Sequence, residues 1–112
     1  MKQIPLFVYG TLLDISVQRA LLGRTIEGTP DRLADYVMNY MLLPPYPVAI
    51  PAEGHYIIGQ VLTIKHDELR RLDQYEGECY QRIEITLESG QRAWVYVGHP
   101  DCYDIVPSQD GS

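Results

Sequence analysis

The chain has 112 residues, enough for one domain with a core that needs no staples. Its net charge of −6 argues against a surface for nucleic acid or anionic lipid, because phosphate binding needs a basic patch. The densest basic pair, Arg70-Arg71, sits among Asp67, Glu68 and Asp73. Nine Tyr against one Phe and one Trp, with nine Gly and eight Pro, favour strands and tight turns over a helical bundle.

Residues 3–8 read as a short strand that is apolar on both faces and therefore central. It runs into Tyr9-Gly10-Thr11-Leu12, after which a cap at Asp14 or Ser16 opens a helix over residues 17–22 that Gly23 ends. A strand, a Gly turn and a helix in succession point backbone N–H groups at an anion, and Gly10 lets a ligand approach the main chain.

Residues 34–43 read as a strand, and Leu43-Pro44-Pro45-Tyr46-Pro47 as a rigid structural corner. Residues 48–50 form a brief strand, residues 51–54 a turn, and residues 56–64 the strongest strand signal in the chain. Gly59 within that strand implies a bulge or a close backbone approach.

A helix over residues 67–74 follows, with acidic residues suited to its N-terminal dipole, Leu69 and Leu72 on its buried side and an Asp67–Arg71 pair on the wet one. Gly77 stops it. Residues 81–87 alternate, with Ile83, Ile85 and Leu87 inward and Arg82, Glu84 and Thr86 outward. Glu88-Ser89-Gly90 makes a hairpin loop to residues 91–97. The tail from Gly98 is irregular, and residues 108–112 are expected to be disordered, which leaves a single domain over residues 1–107.

Six strands not regularly separated by helices argue against a doubly wound sheet. They fit an α+β fold, a small mixed and partly closed six-stranded β-barrel with two helices. Cys79 and Cys102 form no CxxC pair, and with three scattered His they have no metal-ligand spacing, so they read as free thiols and no metal or cofactor is expected. Neither a signal peptide nor an apolar run of membrane-spanning length is evident, and a cytoplasmic location without a membrane partner is expected.

Glu76 lies where the second helix turns into a strand, between Tyr75 and Tyr80. A carboxyl partly desolvated there moves toward the pKa of a general base near neutrality. Cys79 is the rival nucleophile, but no nearby His or basic residue lowers its pKa, and it reads as packing.

The motifs Phe7-Val8-Tyr9-Gly10-Thr11-Leu12, Leu72-Asp73-Gln74-Tyr75-Glu76-Gly77 and Tyr80-Gln81-Arg82, in this order, resemble the gamma-glutamylcyclotransferase-like family. Leu21-Leu22-Gly23, Tyr46-Pro47-Val48, Gly59-Gln60-Val61 and Trp94-Val95-Tyr96-Val97 extend the resemblance over residues 4–97. Gln60 departs from it, standing where many relatives carry an acidic residue.

The resemblance implies a six-stranded barrel-like fold with a cavity at one end. It implies that Tyr9, Gly10, Thr11 and Leu12 bind the alpha-carboxylate and amine end of a gamma-glutamyl group through main-chain atoms, with Tyr80 beside them. Glu76 takes the place of the catalytic acid/base. The implied partner is a small gamma-glutamyl amine or amino acid that cyclises to 5-oxoproline. Two alternatives are removal of a gamma-glutamyl protecting group in a biosynthetic pathway and a non-catalytic ligand-binding module. Oligomeric state and the leaving amine are not read from the sequence.

Overall fold

Strand β1 (Ile4–Val8) lies in the middle of a five-stranded mixed sheet of order β2-β3-β1-β5-β4. The computed structural model describes residues 3–43 and 46–103. The chain continues through a short 3-10 turn (Thr11–Leu13), α1 (Ile15–Leu22), β2 (Thr29–Leu43), β3 (Tyr46–Ile64), α2 (His66–Glu76), β4 (Tyr80–Thr86), β5 (Arg92–Gly98) and the one-turn helix α3 (Pro100–Tyr103). β1 pairs antiparallel with β3 and parallel with β5, and the sheet curls into a half-barrel.

The apolar character of β1 on both faces is explained by what covers it. Ile4, Leu6 and Val8 join Leu62, Ile64, Leu22, Leu69 and Leu72 on the helix side. Phe7 points the other way, into a second core with Leu33, Ile57, Val61, Val95 and Val97. Alternation along a strand sends successive side chains to opposite faces, so both cores meet on one five-residue strand. Ile83, Ile85 and Leu87 pack on the second core, the face expected for them.

Among the described residues the half-barrel has five strands, not six. The two strands expected at residues 48–50 and 56–64 are one strand, β3, which runs antiparallel to β2 along nearly its whole length. The turn signal at residues 51–54 is absorbed as an irregularity in the ladder. Ala34 faces Tyr56 and Tyr36 faces Pro51, so Asp35 alone opposes the four residues between. Asp35 takes a left-handed conformation (φ 66°), as does Gly54 (φ 84°), and the Asp35 carboxylate accepts the Gly54 N–H at 3.1 Å. An Asp tolerates that region because its short side chain can bond the local backbone. Of the corner at residues 43–47, Pro44 and Pro45 lie outside the described residues; Leu43 and Tyr46 pair across it.

The helix ends follow local chemistry. Asp14 caps α1 by accepting the Ser16 N–H at 2.8 Å, and Gly23 (φ 75°) closes it, its N–H donating to the Arg19 carbonyl. Glu68 accepts the Lys65 N–H at 2.9 Å and takes both arms of Arg24 at 2.8 and 2.9 Å, which fixes the start of α2 to the segment leaving α1. The Asp67–Arg71 pair is present on the wet face at 3.5 Å.

A correction concerns the thiols. Cys79 and Cys102 are joined by a disulfide across a Cα–Cα distance of 5.5 Å, not free. The chain after β5 is less irregular than its composition implies: the His99 N–H bonds the Cys79 carbonyl at 2.8 Å, and α3 then returns Cys102 to Cys79. The expected disorder of residues 108–112 falls outside the described residues. Among the described residues, no helix is long and apolar enough to cross a membrane.

Candidate active site

A cavity of about 200 Å³ opens where the end of β1, the end of α2 and the start of β4 converge. Phe7, Val8, Tyr9, Gly10 and Leu12 form one wall, Tyr75 and Glu76 another, and Pro47, Tyr80 and Tyr96 complete it. None of the described residues lining it is basic.

Helical periodicity brings Glu76 here. Leu69 and Leu72 are buried under the helix-side core, and Glu76 follows Leu72 by four residues on the same face. Gly77, at φ 80°, then turns the chain toward β4. Burial, and secondarily the negative charge of Asp73, push the Glu76 carboxyl up to about 7.

Asp73 precedes Glu76 by three residues and remains ionised. Burial works against its charge, but Arg82 grips both oxygens at 2.9 and 3.0 Å and the Tyr96 hydroxyl donates to Oδ1 at 2.6 Å, which holds its pKa below the usual carboxylate value. Arg82 in turn lies over the Trp94 ring, 4.6 Å from its centre. Two carboxyl groups on one helical turn are thereby assigned different protonation behaviour.

The other phenols are tied to the wall. The Tyr9 hydroxyl donates to the Tyr96 carbonyl and accepts the Ala49 N–H at 3.2 Å. The Tyr80 hydroxyl donates to the Pro47 carbonyl at 2.9 Å. Burial raises the pKa of Tyr9 and of Tyr96 well above the ordinary phenol value, so both stay neutral.

Two glycines permit this closeness. A Cβ on Gly10 would meet Pro47 Cγ at 3.2 Å across the cavity mouth. One on Gly59 would collide with the Val8 carbonyl and stand 2.7 Å from Phe7 Cζ, so β3 lies against β1 just before the loop, the close approach expected there. The Leu13 N–H bonds the Gly10 carbonyl at 3.0 Å and shapes the loop as a turn.

Of the residues singled out from sequence, Tyr9, Gly10, Leu12, Glu76 and Tyr80 line one cavity. Thr11 begins the 3-10 turn, and its side chain lies outside the described residues. Asp73, Arg82, Tyr96 and Pro47 were not anticipated as site residues. Asp73 had a signal in its three-residue spacing from Glu76; Arg82 had the opposite one, since strict alternation on β4 sets it on the face read as outward. Cys79, the rival nucleophile, is consumed by the disulfide. The described residues contain no group of three His, Cys, Asp or Glu side chains able to hold a metal ion.

A curled mixed sheet, a glycine loop after its central strand and a helix-borne glutamate that lines the same cavity define a small α+β half-barrel domain. The chain belongs to the family described as gamma-glutamyl cyclotransferase, AIG2-like, whose model matches residues 6–110. It is 31% identical over 82 residues to Protein AIG2 C of Arabidopsis thaliana, a match covering 72% of this chain and 50% of that protein, so the chain spans about half the length of this relative. It is 29% identical over 131 residues to the gamma-glutamylaminecyclotransferase of Bos taurus, covering 89% of this chain and 75% of that one. A solution structure from Arabidopsis thaliana superposes with a TM-score of 0.76 at 26% identity, covering 92% of this chain and 68% of the other.

Proposed function

We propose that the chain is a gamma-glutamyl cyclotransferase: it closes a gamma-glutamyl amine or amino acid into 5-oxoproline and frees the amine. The observation that carries this reading is the Glu76 carboxyl, pushed up to about 7 at the wall of a cavity that it shares with a glycine loop. A carboxyl of that pKa takes and returns protons near neutral pH.

The substrate's alpha-ammonium hides the lone pair that must attack. Glu76 removes one proton; the freed amine nitrogen adds to the side-chain carbonyl carbon, forming the lactam C–N bond. The bond from that carbon to the leaving nitrogen then breaks while Glu76 returns its proton there. The second proton of the original ammonium is shed as the lactam forms and leaves on the released amine, so no water is consumed. The loop Tyr9–Leu12 holds the alpha-carboxylate through its main-chain atoms, with Tyr80 beside it, and keeps the substrate bent, which supplies proximity.

The family match and the bovine relative support this chemistry over the two alternatives, deprotection of a biosynthetic intermediate and binding without turnover. A panel of gamma-glutamyl amines, gamma-glutamyl amino acids and larger gamma-glutamyl intermediates, assayed for 5-oxoproline, tests it. Release from small members of the panel supports the reading. Release from a larger intermediate alone favours deprotection, and binding with no release from any member favours the non-catalytic module.

A further inference from the structure

The Tyr96 hydroxyl has one proton, and its 2.6 Å bond to Asp73 Oδ1 commits that proton to a carboxylate, while Tyr96 is among the residues that line the cavity. A phenol whose proton is spent presents only oxygen lone pairs elsewhere, so toward a ligand it can accept but not donate. Tyr96 keeps its O–H turned to Asp73, because Arg82 holds both Asp73 oxygens and keeps that acceptor ionised. Trp94 packs against the far face of Arg82 and fixes the arrangement.

We propose that Tyr96 is a specificity-determining residue that accepts an N–H of the substrate's alpha-ammonium, and that Asp73 is the positioning residue that keeps its hydroxyl turned as an acceptor. This rests on the cyclotransferase reading of the cavity. The Tyr96 phenol lies within electrostatic range of Glu76, whose negative charge favours a cation, and of Arg82, whose charge Asp73 offsets; no described lining residue is basic.

The arrangement also serves the reaction. An amine that has given one proton to Glu76 still carries two N–H groups. Holding one on Tyr96 restricts the direction of the lone pair, which must face the carbonyl. Substrates without an N–H donor at that nitrogen lose this bond.

Two ligands separate this role from a structural one. L-Glutamine carries the alpha-ammonium; 5-oxoproline carries the same carboxylate but no cation. Binding of each to wild type and to Tyr96→Phe is measured by calorimetry. The proposal expects glutamine affinity to fall at least tenfold in the variant and 5-oxoproline affinity to stay within about twofold, since a hydrogen bond to a charged group is worth more than tenfold in binding. Equal losses for both ligands, or none for either, would overturn it.

Should Tyr96→Phe fail to fold, wild type is titrated with N,N,N-trimethylglutamine, which keeps the charge and lacks N–H donors. Affinity at least tenfold below that of glutamine supports the proposal, and equal affinity overturns it. Turnover of the wild type on the gamma-glutamyl panel is read separately: cyclisation with no ligand discrimination sinks Tyr96 alone, while discrimination without cyclisation sinks the enzymatic reading alone.

Discussion

Asp73 and Glu76 stand one helical turn apart on α2, and the charge of the first helps to keep the second protonated. Arg82 and the Tyr96 hydroxyl hold Asp73 ionised, and its negative charge adds to burial in pushing Glu76 up to about 7. Removing the charge at residue 73 therefore lowers the pKa of Glu76 without touching it. Asp73→Asn should shift the acid limb of the kcat/KM profile to lower pH, with part of the rise retained because burial is its larger cause. Arg82, left without its counter-ion, pushes in the same direction. An acid limb that stays in place would mean that Asp73 does not set the protonation of Glu76.

The raised carboxyl also makes a stability prediction with a definite sign. Folded Glu76 titrates at about 7 against an ordinary value of 4.5, so the folded chain holds this proton more tightly than the unfolded one. Below the ordinary value the two states are equally protonated; as the pH rises through the window to about 7, stability is lost. The loss levels off at a magnitude on the order of 3 kcal/mol. Glu76→Gln should be more stable than wild type in mildly alkaline buffer, and the gap should close as the pH falls toward the ordinary carboxylate range. Denaturant melts across that range check it; a pH-independent gap would contradict the burial of the charge.

The Cys79–Cys102 disulfide closes a loop with a sequence separation of 23, and a loop of that size is worth about 3 kcal/mol in the chain-entropy account. Adding a dithiol reductant should lower the unfolding midpoint by roughly ten degrees. Cys79→Ser and Cys102→Ser should melt at the reduced value and no longer respond to reductant. Below their midpoints both variants should cyclise substrate within a few-fold of wild type. A loss of several orders of magnitude for Cys79→Ser alone would make that sulfur part of the chemistry.

Much of this architecture was legible because local chemistry and tertiary packing agree. The apolar run of β1 reads as central and is buried on both faces, Gly23 and Gly77 end their helices, and the hairpin of β4 and β5 alternates as written. Glu76 could be picked out from its place before Gly77 and the loop motif far upstream. The sixth strand was an error with a physical origin: residues 51–54 carry ordinary turn chemistry, but pairing of β3 with β2 on either side overrides it and leaves only a bulge at Asp35. Arg82 keeps the alternation, on the face opposite Ile83, but that face carries Trp94 and Tyr96 and meets Asp73 of α2 instead of water. The disulfide was invisible for a similar reason, since only the return of α3 brings Cys102 beside Cys79.

The central claim is that Glu76 moves the proton. Gln at residue 76 keeps the shape and most of the hydrogen bonding and removes the titrating group, so 5-oxoproline should bind Glu76→Gln nearly as it binds wild type. General acid/base groups contribute about 10²–10⁴-fold. Steady-state release of 5-oxoproline by Glu76→Gln, on a gamma-glutamyl substrate that the wild type cyclises, should fall by at least that lower bound and lose the acid limb near pH 7. Glu78→Gln, which removes a charge two residues away, should change it little. Full turnover in Glu76→Gln would contradict the account and move the base to another group.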